Sequence, residues 1–568
     1  MYDTLPKDAT VALEWSFDKF QPYLDALLER DLSADNVDAW MADWSSIAKL
    51  MNEVVIRLQV ATTQNTEDEA IEARFNAFME NIYPQAMTYT NKLNHKLLDS
   101  GLQPENFAVP LRNMRADAEL FREENLVLET QKSKLDIEFD KLMGAQTVEW
   151  EGEERTLPQM SPILLEQDRA RREKAWRLMV DRNLQDRDAL NDLWVRYMDL
   201  RGQIAANADM PDYRAYQWKA MQRFDYSPQD AETFQRAIEA VAVPAAQRIR
   251  EKKRSRLGVD SLRPWDTMVD PDGKPPLKPY ESTSDLIEGM TTMFSGVDPA
   301  LGAYFQTMRN EDLLDLENRK GKAPGGYCTD LPLAKRPFIF MNSVGLHDDV
   351  QTLLHEGGHA FHAFEALKLP YVQQQNPPME FAEVASMSME LLGAPYLTKA
   401  QGGFYDEADA ARARLDHLET SIMFWPYMAV VDAFQHWVYT NHKAATDPAN
   451  CDAKWGELWD RFMPGIDYSG LEDVRVTGWH RKLHIFQIPF YYIEYGLAQL
   501  GAVQVWGNSL TDQAGAIQSY LNALALGGTA TLPALFQTAG AKFGFDADTL
   551  KQAVDLMETT IESLDAVS

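Results

Sequence analysis

The run His355-Glu356-Gly357-Gly358-His359 restricts this chain more than any other feature. It is an HExxH pattern, preceded by Leu353-Leu354 and followed by Ala360-Phe361-His362. On an α-helix, residues at i and i+4 project from one face about one turn apart, so both imidazoles reach a single ion at about 2.0–2.1 Å. Glu356 is offset by roughly a quarter turn, which suits a carboxylate that acts on a metal-activated water rather than on the metal. The pattern therefore demands a rigid helix. Asp348 with Gln351 three residues on predicts a capping box at its start, and Val350, Leu353, Leu354 and Phe361 give it a face to bury.

Two histidines call for a third ligand. His362 shares nearly the same face as His355, but at 1.5 Å rise per residue it lies ~10 Å further along the axis, too far for one ion. Glu380, Glu383 and Glu390 come next, in the apolar and helical stretch from Met379 to Glu390. Glu383 and Glu390 are seven apart and share a face, with Val384 and Met387 beside them. Carboxylates among so many apolar residues are costly unless paired or bound to a cation. Glu383 is accordingly assigned as the third ligand, and Glu390 as a partner that orients a histidine.

Several runs together carry a resemblance. They are Gly321-Lys322-Ala323-Pro324-Gly325-Gly326-Tyr327-Cys328-Thr329, then Pro337-Phe338-Ile339-Phe340-Met341-Asn342, HEGGHAFH, and Phe381-Ala382-Glu383-Val384-Ala385-Ser386. In this order they resemble the oligoendopeptidase F branch of the thimet oligopeptidase family of zinc metallopeptidases. The resemblance implies a mainly α fold: a two-lobed helical zincin with a deep substrate cleft and a small β-sheet next to the active-site helix. It further implies one Zn²⁺ per chain on His355, His359 and Glu383, with short peptides as substrates. Glu383 stands further behind His359 than the equivalent glutamate of thermolysin-like enzymes, and His362 comes too early for the third histidine of a metzincin. The resemblance is dense from about Gly321 to the C-terminus and diffuse before it.

Residues 325–329 and 336–342 read as two short strands. Glycines in a strand often mark the close approach of another backbone. A peptide that adds itself to this sheet edge by main-chain hydrogen bonds is held without its side chains being read. Gly325, Gly326 and Tyr327 are the expected contacts, and the resemblance favours a substrate there.

The last stretch with chemistry is Trp479 to Gly496, which contains His484, Pro489, Tyr492 and Tyr495. Tyr492 and Tyr495, at i and i+3 on a helix opening after Pro489, are expected to point into one cavity. Amide hydrolysis develops charge on the carbonyl oxygen, and a well-placed donor stabilises it by ~3 kcal/mol. In the family a histidine and tyrosines serve this end, and His484, Tyr492 and Tyr495 match them. The spacing is one residue shorter than in the thimet branch, with Ile488 or Pro489 where that branch has a further tyrosine.

The net charge is −31, which disfavours nucleic acid and anionic membranes as partners. Two cysteines, Cys328 and Cys451, are too few for a disulfide framework and fit a reducing compartment. The N-terminal residues lack the pattern of a signal peptide, and no run approaches the ~20 apolar residues of a membrane span, so a cytoplasmic location is expected.

From Asp18 to Asn207 the pattern is helical, with segments 37–58, 67–92, 111–141 and 161–182, a polar joint at 61–65 and a hairpin over 147–157. This supports an N-terminal helical lobe over 1–208 and a catalytic region over 209–568. The Pro-rich segment 257–283 is expected to be a surface crossover, and the aromatic-rich helix 404–442 to be core. The expected activity is a zinc-dependent endopeptidase acting on oligopeptides, with Glu356 as general base. Two alternatives stay open: a zinc carboxypeptidase or dipeptidase, which needs a cation for the substrate's terminal carboxylate, and a non-catalytic peptide-binding protein.

Overall fold

A computed structural model describes residues 1–567. The chain is mainly α-helical. Two small sheets interrupt the helices: a hairpin of β1 (Thr147–Trp150) and β2 (Glu153–Thr156), and a sheet of β3 (Leu314–Glu317), β4 (Tyr327–Leu331) and β5 (Arg336–Ser343). The hairpin turns through Glu151 and Gly152, both at positive φ, which matches the twist of a two-residue connection. No helix among the described residues is long and apolar enough to cross a membrane.

Several expected helices are shorter than their apolar periodicity suggested. The segment 67–92 is two helices, Glu69–Asn81 and Tyr83–Ser100, divided just before Pro84. Segment 111–141 likewise divides at 121–122, between Ala108–Leu120 and Glu123–Gly144. Only a 3-10 turn, Ser161–Leu165, precedes the helix Arg169–Gln185. The polar joint expected at 61–65 is helical through Gln64. The Pro-rich segment is not purely a surface crossover. Its turn Pro264–Asp266 is buried, and Asp266 pairs with Arg169 (2.7 Å) and with the buried Arg172 (3.0 Å).

Buried apolar side chains fall into two main groups, with two small ones at the hairpin (Val148, Trp150, Met160) and on the sheet (Leu331, Phe338, Phe340). The first draws on residues 5–114, centred on Trp40, Trp44 and Leu50. The other runs from Leu135 to Leu564, so that Trp194 and Tyr197 share a core with Leu353, Phe381 and Ile493.

In the three-stranded sheet β5 is central, parallel to β3 and antiparallel to β4, which leaves β4 as an edge. Tyr327 stacks on its cross-strand partner Phe340, with ring centroids 4.9 Å apart, and shares a 2.6 Å hydrogen bond with Thr63 of the helix Val37–Gln64. Lys322 is buried on Asp315 (2.9 Å) and the Met341 carbonyl (2.6 Å), which pins the loop leading into β4. β3 was not expected; four residues are too few to show a period of two.

The HExxH motif lies on the helix His347–Ala366, termed the motif helix. Asp349, not Asp348, organises its start. The Oδ2 atom of Asp349 accepts the backbone N–H groups of Val344, Gly345 and Leu346 at 2.8–2.9 Å, while Asp348 is exposed. The chain meets this carboxylate because Gly345 takes φ +87°, a conformation that glycine adopts without strain.

Val350, Leu353, Leu354 and Phe361 are fully buried. The motif helix packs against the helix Met379–Gly393, the glutamate helix, which in turn packs against Tyr492–Ser509, the tyrosine helix. Gly358 sets the first of these separations: a Cβ there would stand 2.5 Å from the Ser386 Cα and 2.6 Å from the Ala385 carbonyl oxygen. At Gly357 the nearest atom is in the Phe294 ring, at 2.6 Å. A ring can move aside, whereas a helix backbone cannot without separating the helices. Gly358→Ala should therefore destabilise the fold by about 1–3 kcal/mol despite the higher helix propensity of alanine, and by more than Gly357→Ala. Thermal unfolding of the two variants checks this, and a stabilised Gly358→Ala would refute the close-packing argument.

Candidate active site

The close approach of the motif and glutamate helices brings His355, His359 and Glu383 together. One ligand atom from each lies within 4.8 Å of the other two, and this is the one such trio of metal-type ligands among the described residues. His355 Nε2 is 3.4 Å and His359 Nε2 3.7 Å from Glu383 Oε2. Ligands at about 2.0–2.2 Å in tetrahedral array stand roughly 3.3 Å apart, so the trio suits an ion such as Zn²⁺ with a fourth position left over. Burial raises the Glu383 carboxyl, but the hydrogen bond from His355 and the charge of His359 outweigh it and bring its pKa down to about 2. Burial brings His359 down to about 4, leaving its imidazole neutral as a ligand must be.

Glu390 holds the far side of His355. Its Oε1 is 2.7 Å from His355 Nδ1, so Nε2 is turned toward Glu383. The other oxygen, Oε2, is 3.6 Å from His417 Nε2. His417 had no assigned role in the sequence. It belongs to the long helix Glu407–Thr440, and no motif links it to residue 390.

Glu356 is buried and lies beside the trio on the wall of a cavity of about 600 Å³. The Cys328 backbone N–H of β4 donates to its carboxylate, fixing its position against the sheet. Burial, the largest cause, pushes its pKa up to about 7. A carboxylate so placed accepts and releases a proton readily near neutral pH.

The edge strand forms another wall. Gly326 and Tyr327, with Cys328, Thr329 and Asp330, border the cavity. Gly325 does not; it takes φ +95° before the strand, and its carbonyl accepts from Asn342 Nδ2 at 2.9 Å.

The tyrosines are arranged differently from the expectation. Tyr495 borders the cavity, but Tyr492 is turned into the core, where its hydroxyl accepts from Lys482 Nζ at 3.1 Å. Tyr491 takes the place expected for Tyr492. Its hydroxyl donates to Glu383 Oε1 at 3.2 Å, and its ring lies 5.2 Å from that of Tyr495. Helical spacing pairs i with i+4 more directly than with i+3, and that relation links Tyr491 to Tyr495. Burial raises both phenols above their ordinary pKa, so they remain hydrogen-bond donors. His484 does not border the cavity. It makes ring contacts of 5.0–6.0 Å with all three tyrosines, and burial brings its pKa down to about 4.

Known proteins share both sequence and fold with this chain. The family model described as peptidase family M3 matches residues 163–554. The chromosomal oligoendopeptidase F of Lactococcus lactis subsp. cremoris is 26% identical over 45% of this chain and 42% of its own. An oligoendopeptidase F homolog of Borreliella burgdorferi is 21% identical over 40% of this chain and 38% of its own. The aligned stretch thus covers less than half the length of these curated relatives. Among solved structures, PZ peptidase A in complex with an inhibitor superposes at a TM-score of 0.88, with 27% identity over the whole of both chains. The HExxH helix and the glutamate that packs against it thus stand inside the matched region, in a mainly helical fold shared with solved peptidases, and the chain belongs to peptidase family M3.

Proposed function

We propose that the protein is a zinc-dependent endopeptidase that hydrolyses short oligopeptides. The observation that carries this reading is the convergence of His355, His359 and Glu383 on one point of a cavity that Glu356 and the edge strand β4 also border. The family membership and the names of the relatives support it. Zn²⁺ held by the three ligands supplies Lewis acidity, polarising a carbonyl oxygen and acidifying water.

The chain's own residues account for the remaining steps. A peptide lying along β4 exchanges main-chain hydrogen bonds with the strand, which aligns its scissile amide past Glu356. Glu356 takes a proton from the attacking water and delivers it to the departing nitrogen, a double role that suits a pKa near neutrality. Tyr495 presents a hydroxyl donor to the oxygen that becomes negative as the carbonyl is attacked, and Tyr491 does so when its single O–H turns from Glu383 to that oxygen. Glu390 keeps His355 in the tautomer that offers Nε2.

The cavity wall also favours internal cleavage over removal of terminal residues. No lysine or arginine stands among the described residues that border it, so a substrate's terminal carboxylate meets no counter-charge there.

Glu356→Gln should lower kcat by at least about 10³-fold while metal analysis still finds one zinc per chain. Loss of the metal, or near-normal turnover, would contradict the assignment of the base. Tyr491→Phe and Tyr495→Phe should each lower kcat by about 10²-fold with little change in KM, whereas Tyr492→Phe should change it less than tenfold. An internally quenched peptide blocked at both ends separates the remaining readings: cleavage is expected, and an intact peptide would point to an exopeptidase.

A further inference from the structure

Past His359 the motif helix continues along the cavity with a residue that the reaction does not use. His362 borders the cavity, is 4% exposed, and has no hydrogen-bond partner at Nε2 among the described residues. Its ring meets that of Phe381 nearly at right angles, with centroids 6.0 Å apart. Burial, with His359 nearby, brings its pKa down to about 3, so it is a neutral imidazole.

A second polar atom in the same state borders the same cavity. Gln375 is 3% exposed, and its Nε2 donates to the Leu369 carbonyl at 2.8 Å, which leaves Oε1 without a partner among the described residues. Two buried and unpaired polar atoms on side chains that border one recess stay unsatisfied unless a group that enters the recess pairs with them.

The loop that carries Gln375 is held by backbone packing. A Cβ at Gly528 would stand 2.3 Å from the Asn376 carbonyl oxygen, and one at Gly527 2.7 Å from that of Gln374. These two glycines form a seat for the loop, so Gln375 is presented on a fixed support. Ile56 of the helix Val37–Gln64 also borders the cavity.

We propose that His362 and Gln375 form a side-chain subsite for a hydroxyl or carboxamide, so that the preferred peptides carry Ser, Thr, Asn or Gln within two residues of the scissile bond. This deepens the peptidase reading and rests on it. His362 lies three residues beyond the ligand His359, about 4.5 Å along the helix axis, which falls between the rise of one and of two extended peptide residues (about 3.3 and 6.6 Å). An uncharged group that both donates and accepts matches a ring N–H on one side and an amide oxygen on the other. An acidic side chain finds no cation among the residues that border the cavity, and an apolar one leaves both polar atoms unpaired.

Threonine and valine have the same shape and differ by a hydroxyl, so matched quenched peptides test the subsite directly. Each pair places Thr or Val at one of the two positions on either side of the cleaved bond. At one position the wild-type protein should favour Thr at least about tenfold in kcat/KM. His362→Phe and Gln375→Leu should each bring that ratio to about one or below. A ratio near one at every position, a preference for Lys or Asp, or a Thr preference that survives both substitutions would overturn the subsite. Should His362→Phe fail to fold, Gln375→Leu, which lies in a loop, decides alone.

Calorimetric binding of the same pairs to Glu356→Gln gives a readout independent of turnover. A Thr preference in Kd with no cleavage by the wild type would sink the peptidase reading and keep the subsite. Normal cleavage with equal Kd values would do the reverse.

Discussion

The near-contact of two helix backbones at Gly358 governs the rest of the site. Glutamate has a short reach, and Glu383 meets both Nε2 atoms only because the Ala385–Ser386 backbone lies where a side chain at 358 would stand. The motif helix thus supplies two of the three candidate ligands and, through a residue without a side chain, the room for the third. A ligand on a flexible loop would lose more conformational entropy when it was ordered.

The glutamate helix is fixed from its other side by a buried charge cluster. Arg223 pairs with Glu494 of the tyrosine helix at 2.5 Å and with Glu380 of the glutamate helix at 3.3 Å, while Tyr226 donates to Glu380 at 2.8 Å. All four side chains are buried. One guanidinium faces two carboxylates here, and burial pushes Glu494 well above the ordinary carboxylate range. The cluster joins the helix that carries Glu383 to the one that carries Tyr495, and the hydrogen bond from Tyr491 to Glu383 lies beside this junction. A pairing that satisfies buried charge in only one arrangement fixes the relative placement of the two helices more narrowly than apolar packing alone.

The helical class and the motif helix were legible in the sequence because their apolar periodicity is long and regular. The relation of His355 to His359 follows from helical geometry alone. What escaped was short or depended on distant parts of the chain. β3 is four residues long. The carboxylate at the start of the motif helix is Asp349 because Gly345 turns the chain back over it, and the neighbouring Asp348 has the same chemistry in the sequence. Tyr491 and Tyr492 differ by one position, yet Phe490 at φ +69° sets the start of the following helix, so that Tyr491 and not Tyr492 faces the cavity. The contact of His417 with Glu390 joins two helices that no sequence pattern pairs.

The seat formed by Gly527 and Gly528 gives the last part of the chain a role it would not have from its own side chains. It contributes no functional group to the recess, yet the shape of that recess depends on two hydrogens where any other residue would carry carbon. The motif helix carries the candidate reacting groups together with His362, and a remote turn shapes the loop beside them. Bulk added at that turn would press on the loop backbone at Gln374 and Asn376, and at Gly527 also on Leu369 and on Ala366 at the end of the motif helix.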